Sequence, residues 1–163
     1  WERALDMLAE MQEEDLLPNV LSYSSAIRAC SGGNQWERAL GILAASKEKG
    51  LEPDTILFNA AISACEGGQE WMLALMILSE MKEQDLKPNV RSYNSVISAC
   101  EKGRQWETAL GMLLKMQEQD LKPDVITFNA AISALEKGLQ WEMGLSLFVD
   151  MQAHDLQPNV ISY

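Results

Sequence analysis

The chain has 163 residues, 47% of them apolar, and carries a formal net charge of −11 at pH 7. That apolar share suits a folded soluble protein, and no stretch approaches the roughly 20 apolar residues of a membrane-spanning helix, so an integral membrane segment is excluded. The acidic excess, taken by itself, repels phosphate backbones and argues against a nucleic-acid partner.

Residues 1–19 open as "WERALDMLAE", already helical in pattern, and no targeting segment is present in this chain. An internal repeat then governs the reading. Trp1, Trp36, Trp71, Trp106 and Trp141 step by 35, as do Pro18, Pro53, Pro88, Pro123 and Pro158, and every Trp and Pro belongs to one of these series. Leu5, Leu40, Leu75, Leu110 and Leu145 keep the same step. Residues 1–19 read as the second helix of a truncated unit. Complete units follow at 20–54, 55–89, 90–124 and 125–159, and 160–163 begin another. The chain is expected to be a stretch of a longer array.

Each unit predicts two helices. In 90–124, Val90, Tyr93, Ile97 and Cys100 form one apolar stripe at helical spacing. Asn89 stands before it as an N-cap. Gly103 is expected to end it, as Gly138 and the Gly-Gly pairs of the other units end theirs. A second stripe runs through Ala109, Leu110, Leu113 and Met116, and Pro123 prevents its continuation. No β-like alternation occurs. One hairpin cannot bury both stripes, so the fold class is all-α, an α-solenoid of stacked helix-turn-helix hairpins whose hand the pattern leaves open.

Cys30, Cys65 and Cys100 also lie 35 apart, and Leu135 takes their place in the fourth unit. A position that accepts Cys or Leu is a packing position, so disulfides and a metal site are not expected. His154 falls where other units carry Lys49, Gln84 and Gln119 and reads as a surface residue. Neither a nucleophile–base pair nor a glycine-rich phosphate loop occurs. The chain is read as no enzyme, with no catalytic residue, cofactor, metal or small-molecule substrate.

One feature of the first helices resists a purely structural account. Asn59, Asn94 and Asn129 follow an aromatic residue at matched helical positions, where Asn costs roughly half a kcal/mol relative to Ala. On the same non-core face stand Leu21, Ile56, Arg91 and Ile126, three aliphatics where a solvated face should be polar. An aliphatic wall beside an amide suits a nucleobase, by dispersion to its flat face and hydrogen bonds to its edge. The alternative is an inter-repeat ladder of Asn hydrogen bonds, with the aliphatics packed on the neighbouring helix. Asp54, Asn89, Asp124 and Asn159 close the units and serve as N-caps, although capping does not explain why they vary between Asp and Asn.

The string "PDVITFNAAISALEKGLQWEMGLSLFVDM" resembles a pentatricopeptide repeat, a 35-residue helical hairpin. The likeness rests on Pro-Asp/Asn before the first helix, an aromatic followed by Asn, Ile-Ser-Ala-Cys, Gly at the turn, and Ala-Leu then Met in the second helix. It covers the whole chain. Trp36, Trp71, Trp106 and Trp141 depart from it, standing where the family more often has an aliphatic residue, and are expected to plug the core.

The resemblance implies sequence-specific binding of single-stranded RNA, one nucleotide per repeat, in mitochondria or chloroplasts, where it would serve RNA processing, stability, editing or translation. It further implies base selection by Ser24 with Asp54, Asn59 with Asn89, Asn94 with Asp124, and Asn129 with Asn159. Leu21, Ile56, Arg91 and Ile126 would stack on bases. Arg28, Arg91, Lys102 and Lys137 are candidate phosphate contacts. The implied core is 5′-G-(C/U)-U-(C/U)-3′, a pyrimidine-rich target. The four first helices carry a net charge of about +1, so the acidity lies on second helices and linkers. The competing function is a protein-binding scaffold without RNA specificity, to which an acidic surface would bring a basic protein.

Overall fold

The computed structural model describes residues 1–14, 16–154, 156 and 157. Among them it forms α1 (Glu2–Glu13), α2 (Val20–Gly32), α3 (Trp36–Glu48), α4 (Thr55–Gly68), α5 (Trp71–Glu83), α6 (Val90–Lys102), α7 (Trp106–Glu118), α8 (Val125–Lys137) and α9 (Trp141–Ala153). No strand occurs among the described residues.

The even-numbered helices up to α8 begin on the residue after each Asn or Asp that follows Pro, for a local reason. Asn19, Asp54, Asn89 and Asp124 sit in extended backbone, and each side chain accepts the backbone N–H three residues on. The bond is 2.8 Å from Leu57 to Asp54 and 2.9 Å from Thr127 to Asp124. Such a cap is worth about 1 kcal/mol. In α6 and α8 the third helical residue returns the bond, Ser92 and Thr127 accepting from the cap's own N–H.

The other ends of these helices fall at the expected glycines. Gly33, Gly103 and Gly138 cap α2, α6 and α8, with φ values of −91°, −78° and −84°. The left-handed residues are the next ones along, Asn34, Gln69, Arg104 and Leu139. The following N–H then reaches back to a carbonyl five residues earlier, as Gln105 does to Cys100 at 2.8 Å and Gln140 to Leu135 at 2.9 Å. Glycine is required by a close approach instead. A Cβ on Gly33 would overlap the indole of Trp1, one on Gly68 that of Trp36, and one on Gly138 that of Trp106. Each of these three Trp stands at the start of a second helix and lies against the end of the first helix of the next hairpin. In these three pairs Trp and Gly form one device, a ring seated on backbone that has no side chain. Trp141 is 67% exposed.

The chain divides into two compact units, Trp1–Lys87 and Pro88–Tyr163. In the first, α2 packs on both α3 and α4, and α4 on α5. In the second, α6 packs on α7 and α8, and α8 on α9. Within each unit the first helices of adjacent hairpins lie side by side. In the first unit Lys47 of α3 reaches the next second helix in an ion pair with Glu80 of α5.

The cores follow the stripes with one shift. Tyr23, Ile27, Cys30, Phe58, Ile62 and Cys65 are buried in the first unit, and Tyr93, Val96, Ile97, Cys100, Phe128 and Leu135 in the second. Val90 and Leu110, expected in the stripes, are only half-buried, and Val96 and Met112 complete them instead. The largest of these side chains contribute about 1.5–3 kcal/mol each by leaving water.

Candidate nucleic-acid interface

The residues singled out on the non-core face of the first helices divide by exposure. Leu21 is 63% exposed, Ile56 52% and Ile126 62%, while Arg91 is also exposed. More than half of each aliphatic residue is thus open to solvent. A turn away, Ser24, Asn59 and Asn129 are buried and Asn94 is half-buried. The arrangement is an apolar flank standing proud of polar groups set deeper in the surface.

Asn94 shows how such a group is held. Its Nδ2 donates to both carboxylate oxygens of Asp124, at 3.0 and 3.2 Å, and its Oδ1 accepts from the Thr127 hydroxyl at 2.5 Å. The bond to Asp124 lies within the 90–124 unit and joins two of the residues assigned to base selection, while the bond from Thr127 crosses to the next unit. Asp124 serves the first of these while also capping α8. Asn89 caps α6 and accepts the Ser92 N–H at 3.1 Å. Ser24 donates its proton to the Leu21 carbonyl at 3.0 Å, leaving lone pairs for any other partner. Asn159 lies outside the described residues.

Asn129 and Ile126 line an open pocket of about 270 Å³ in the second unit, with Ser98, Glu101, Val125, Ala130 and Ser133. Glu101 forms an ion pair with Lys137 and accepts from the Ser133 hydroxyl at 3.0 Å. Lys137 therefore arrives at this face already neutralised. Arg28 and Lys102 are exposed. The importance of Thr127 and Glu101 was not drawn from the sequence. Thr127 could have been found from its place three residues after a cap, and Glu101 from its spacing one repeat and one residue before Lys137.

Burial raises all three thiols, Cys65 to about 12 and Cys100 to about 11. No cluster of His, Cys, Asp and Glu able to hold a metal occurs among the described residues. His154 is exposed, as expected, with its ring 5.6 Å from that of Phe128.

The family model for the pentatricopeptide repeat domain matches residues 6–69 and 76–137, and the PPR repeat model matches 126–156. The chain belongs to the pentatricopeptide repeat family. No curated protein matches its sequence as a relative. Among solved structures, this pentatricopeptide repeat chain is similar to PPR10 in complex with an 18-nucleotide psaJ RNA element, at 22% identity and a TM-score of 0.83, covering 97% of this chain and 24% of that one. It is similar to PPR10 from maize at 26% identity and a TM-score of 0.76, covering 100% of this chain and 23% of that one. It also resembles the PPR domain of Arabidopsis thaliana protein-only RNase P 1 in complex with tRNA, at 14% identity and a TM-score of 0.73, covering 85% and 73% of the two chains. The chain therefore spans about a quarter of the PPR10 chains it matches. These likenesses bear out the all-α solenoid of helical hairpins.

Proposed function

We propose that this pentatricopeptide repeat chain binds single-stranded RNA, one nucleotide per repeat, and has no catalytic role of its own. The observation that carries this reading is that the aliphatics Leu21 and Ile56 of the first unit and Ile126 of the second are exposed, each a turn from a recessed polar group. Exposed branched side chains in water lose hydrophobic free energy, which a stacked base would recover. The likeness to PPR10 and to the RNase P domain, both solved with RNA, supports it further.

In this reading Ser24 with Asp54, Asn59 with Asn89, Asn94 with Asp124, and Asn129 with Asn159 choose the bases of 5′-G-(C/U)-U-(C/U)-3′. Leu21, Ile56, Arg91 and Ile126 flank those bases. Arg28, Lys102 and Lys137 supply phosphate contacts, with Lys137 weakened by Glu101. The role is organellar, in mitochondria or chloroplasts, and concerns RNA processing, stability, editing or translation. Stacking worth about 1–3 kcal/mol per base, less the cost of ordering the strand, makes four repeats a weak binder.

Titration with a labelled oligonucleotide carrying the core, against a scrambled one, tests the reading. The matched oligonucleotide should bind tighter, and affinity should fall as salt rises. Equal binding to both oligonucleotides, with capture of a basic protein, would instead favour the scaffold.

A further inference from the structure

The contacts around Asn94 single out a residue outside the base-selecting pairs. An amide is a donor and an acceptor side by side, and turning it by 180° exchanges them. Uracil and cytosine differ by just such an exchange, because N3–H and O4 of one become N3 and N4–H₂ of the other. An amide free to turn reads both. An amide locked in one order chooses.

Two groups lock Asn94. Asp124 has only acceptors to offer and holds the Nδ2 end at 3.0 and 3.2 Å. The Thr127 hydroxyl receives the Asp124 N–H at 3.1 Å and lies 2.5 Å from Asn94 Oδ1. Its proton can bridge to the amide oxygen or to Asp124 Oδ1, which is farther away at 2.9 Å. Thr127 is fully buried, so it meets the ligand only through Asn94. The 20–54 repeat lacks this arrangement, since Leu57 occupies the matched position and offers no hydroxyl. There Ser24 gives its proton to its own helix.

We infer that Thr127, the third residue of the following repeat, is a positioning residue for base choice at the third nucleotide, through its hydrogen bond to the Asn94 amide. The inference rests on the RNA-reading function proposed above. It makes specificity a property of three side chains, Asn94, Asp124 and Thr127, and predicts that a hydroxyl at this place sharpens U over C.

The test measures the ratio of affinities for oligonucleotides with U or C at the third nucleotide, for the full chain and for Thr127→Val and Thr127→Ser. The same ratio at the second nucleotide serves as control, and taking ratios cancels any change in the folded fraction. The U:C ratio should fall about two- to tenfold in Thr127→Val, the range expected for one neutral hydrogen bond. Thr127→Ser should restore it, and the control ratio should not move. An unchanged third-nucleotide ratio in Thr127→Val overturns the positioning role while base reading stands. No preference at the third nucleotide in the unaltered chain overturns base reading at this repeat, and the positioning role with it.

Discussion

Gly138→Ala should destabilise the protein although it replaces a poor helix former with the best one. A Cβ built on Gly138 overlaps the Trp106 ring and lies 2.7 Å from its Cγ and 3.0 Å from its Nε1. Carbon atoms rest at roughly 3.5–4.0 Å, so the ring must retreat by about an ångström from its seat. Overpacking of this kind costs about 1–3 kcal/mol. The propensity gain of at most about 1 kcal/mol offsets part of it, because Gly138 caps the helix instead of sitting in its interior. The net loss should be about 1–2 kcal/mol, read as a lower midpoint in urea unfolding. Two further variants isolate the cause. In a Trp106→Ala background the clash is gone, so Gly138→Ala should become neutral or stabilising, a coupling of about 1–3 kcal/mol. Gly144→Ala should stabilise by up to about 1 kcal/mol. Its new Cβ would stand 4.0 Å from Leu135, an ordinary contact, where Ala39, Ala74 and Ala109 are fully buried in the other second helices. A Gly138→Ala variant as stable as the parent, or equally destabilised with and without Trp106, would refute the pairing of ring and glycine.

Tyr93 donates its hydroxyl to Gln119 at 2.9 Å, whereas the buried hydroxyl of Tyr23 has no partner among the described residues. Tyr93→Phe should therefore cost about 1 kcal/mol and Tyr23→Phe should be neutral or stabilising in thermal melts; the reverse order would show that the hydroxyls are placed differently. The native thiols should resist alkylation at neutral pH, since burial lifts Cys65 to about 12 and Cys100 to about 11 from 9.0. By linkage, their contribution to stability is present below the unfolded thiol value and is lost as pH rises from 9.0 towards the folded values. Cys65→Ala should flatten that alkaline fall in urea midpoints, and an unchanged slope would count against it. Glu101→Gln removes the partner of Lys137. It should raise affinity for matched RNA severalfold and steepen the salt dependence by about one phosphate contact; unchanged affinity would show that Lys137 does not face the strand.

Much of this architecture could be read from the chain, because its signals are local. The Pro-Asn and Pro-Asp caps place the starts of α2, α4, α6 and α8 at the expected residues. The apolar stripes identify most of the core, and the matched cysteines are buried where the Leu135 substitution implies. What was missed depends on contacts one repeat away. Gly138 caps α8 as expected, but its contact with the Trp106 ring belongs to the neighbouring hairpin and leaves no mark in the local sequence. The left-handed residue proved to be Leu139, a type that chain chemistry alone would not nominate for that backbone. In the candidate site the Asn and aliphatic positions were legible from their periodicity. The lock on Asn94 by Thr127 and the neutralisation of Lys137 by Glu101 were not, since each joins side chains more than 30 residues apart.

The central claim is that Asn94 with Asp124 selects a base, and one exchange tests it. Affinities of the unaltered chain and of Asn94→Thr should be measured for oligonucleotides that differ only at the third nucleotide. The account predicts a preference for U in the unaltered chain that moves towards G in Asn94→Thr, with the other three nucleotides read as before. The same preference in both proteins, or none in either, would contradict it.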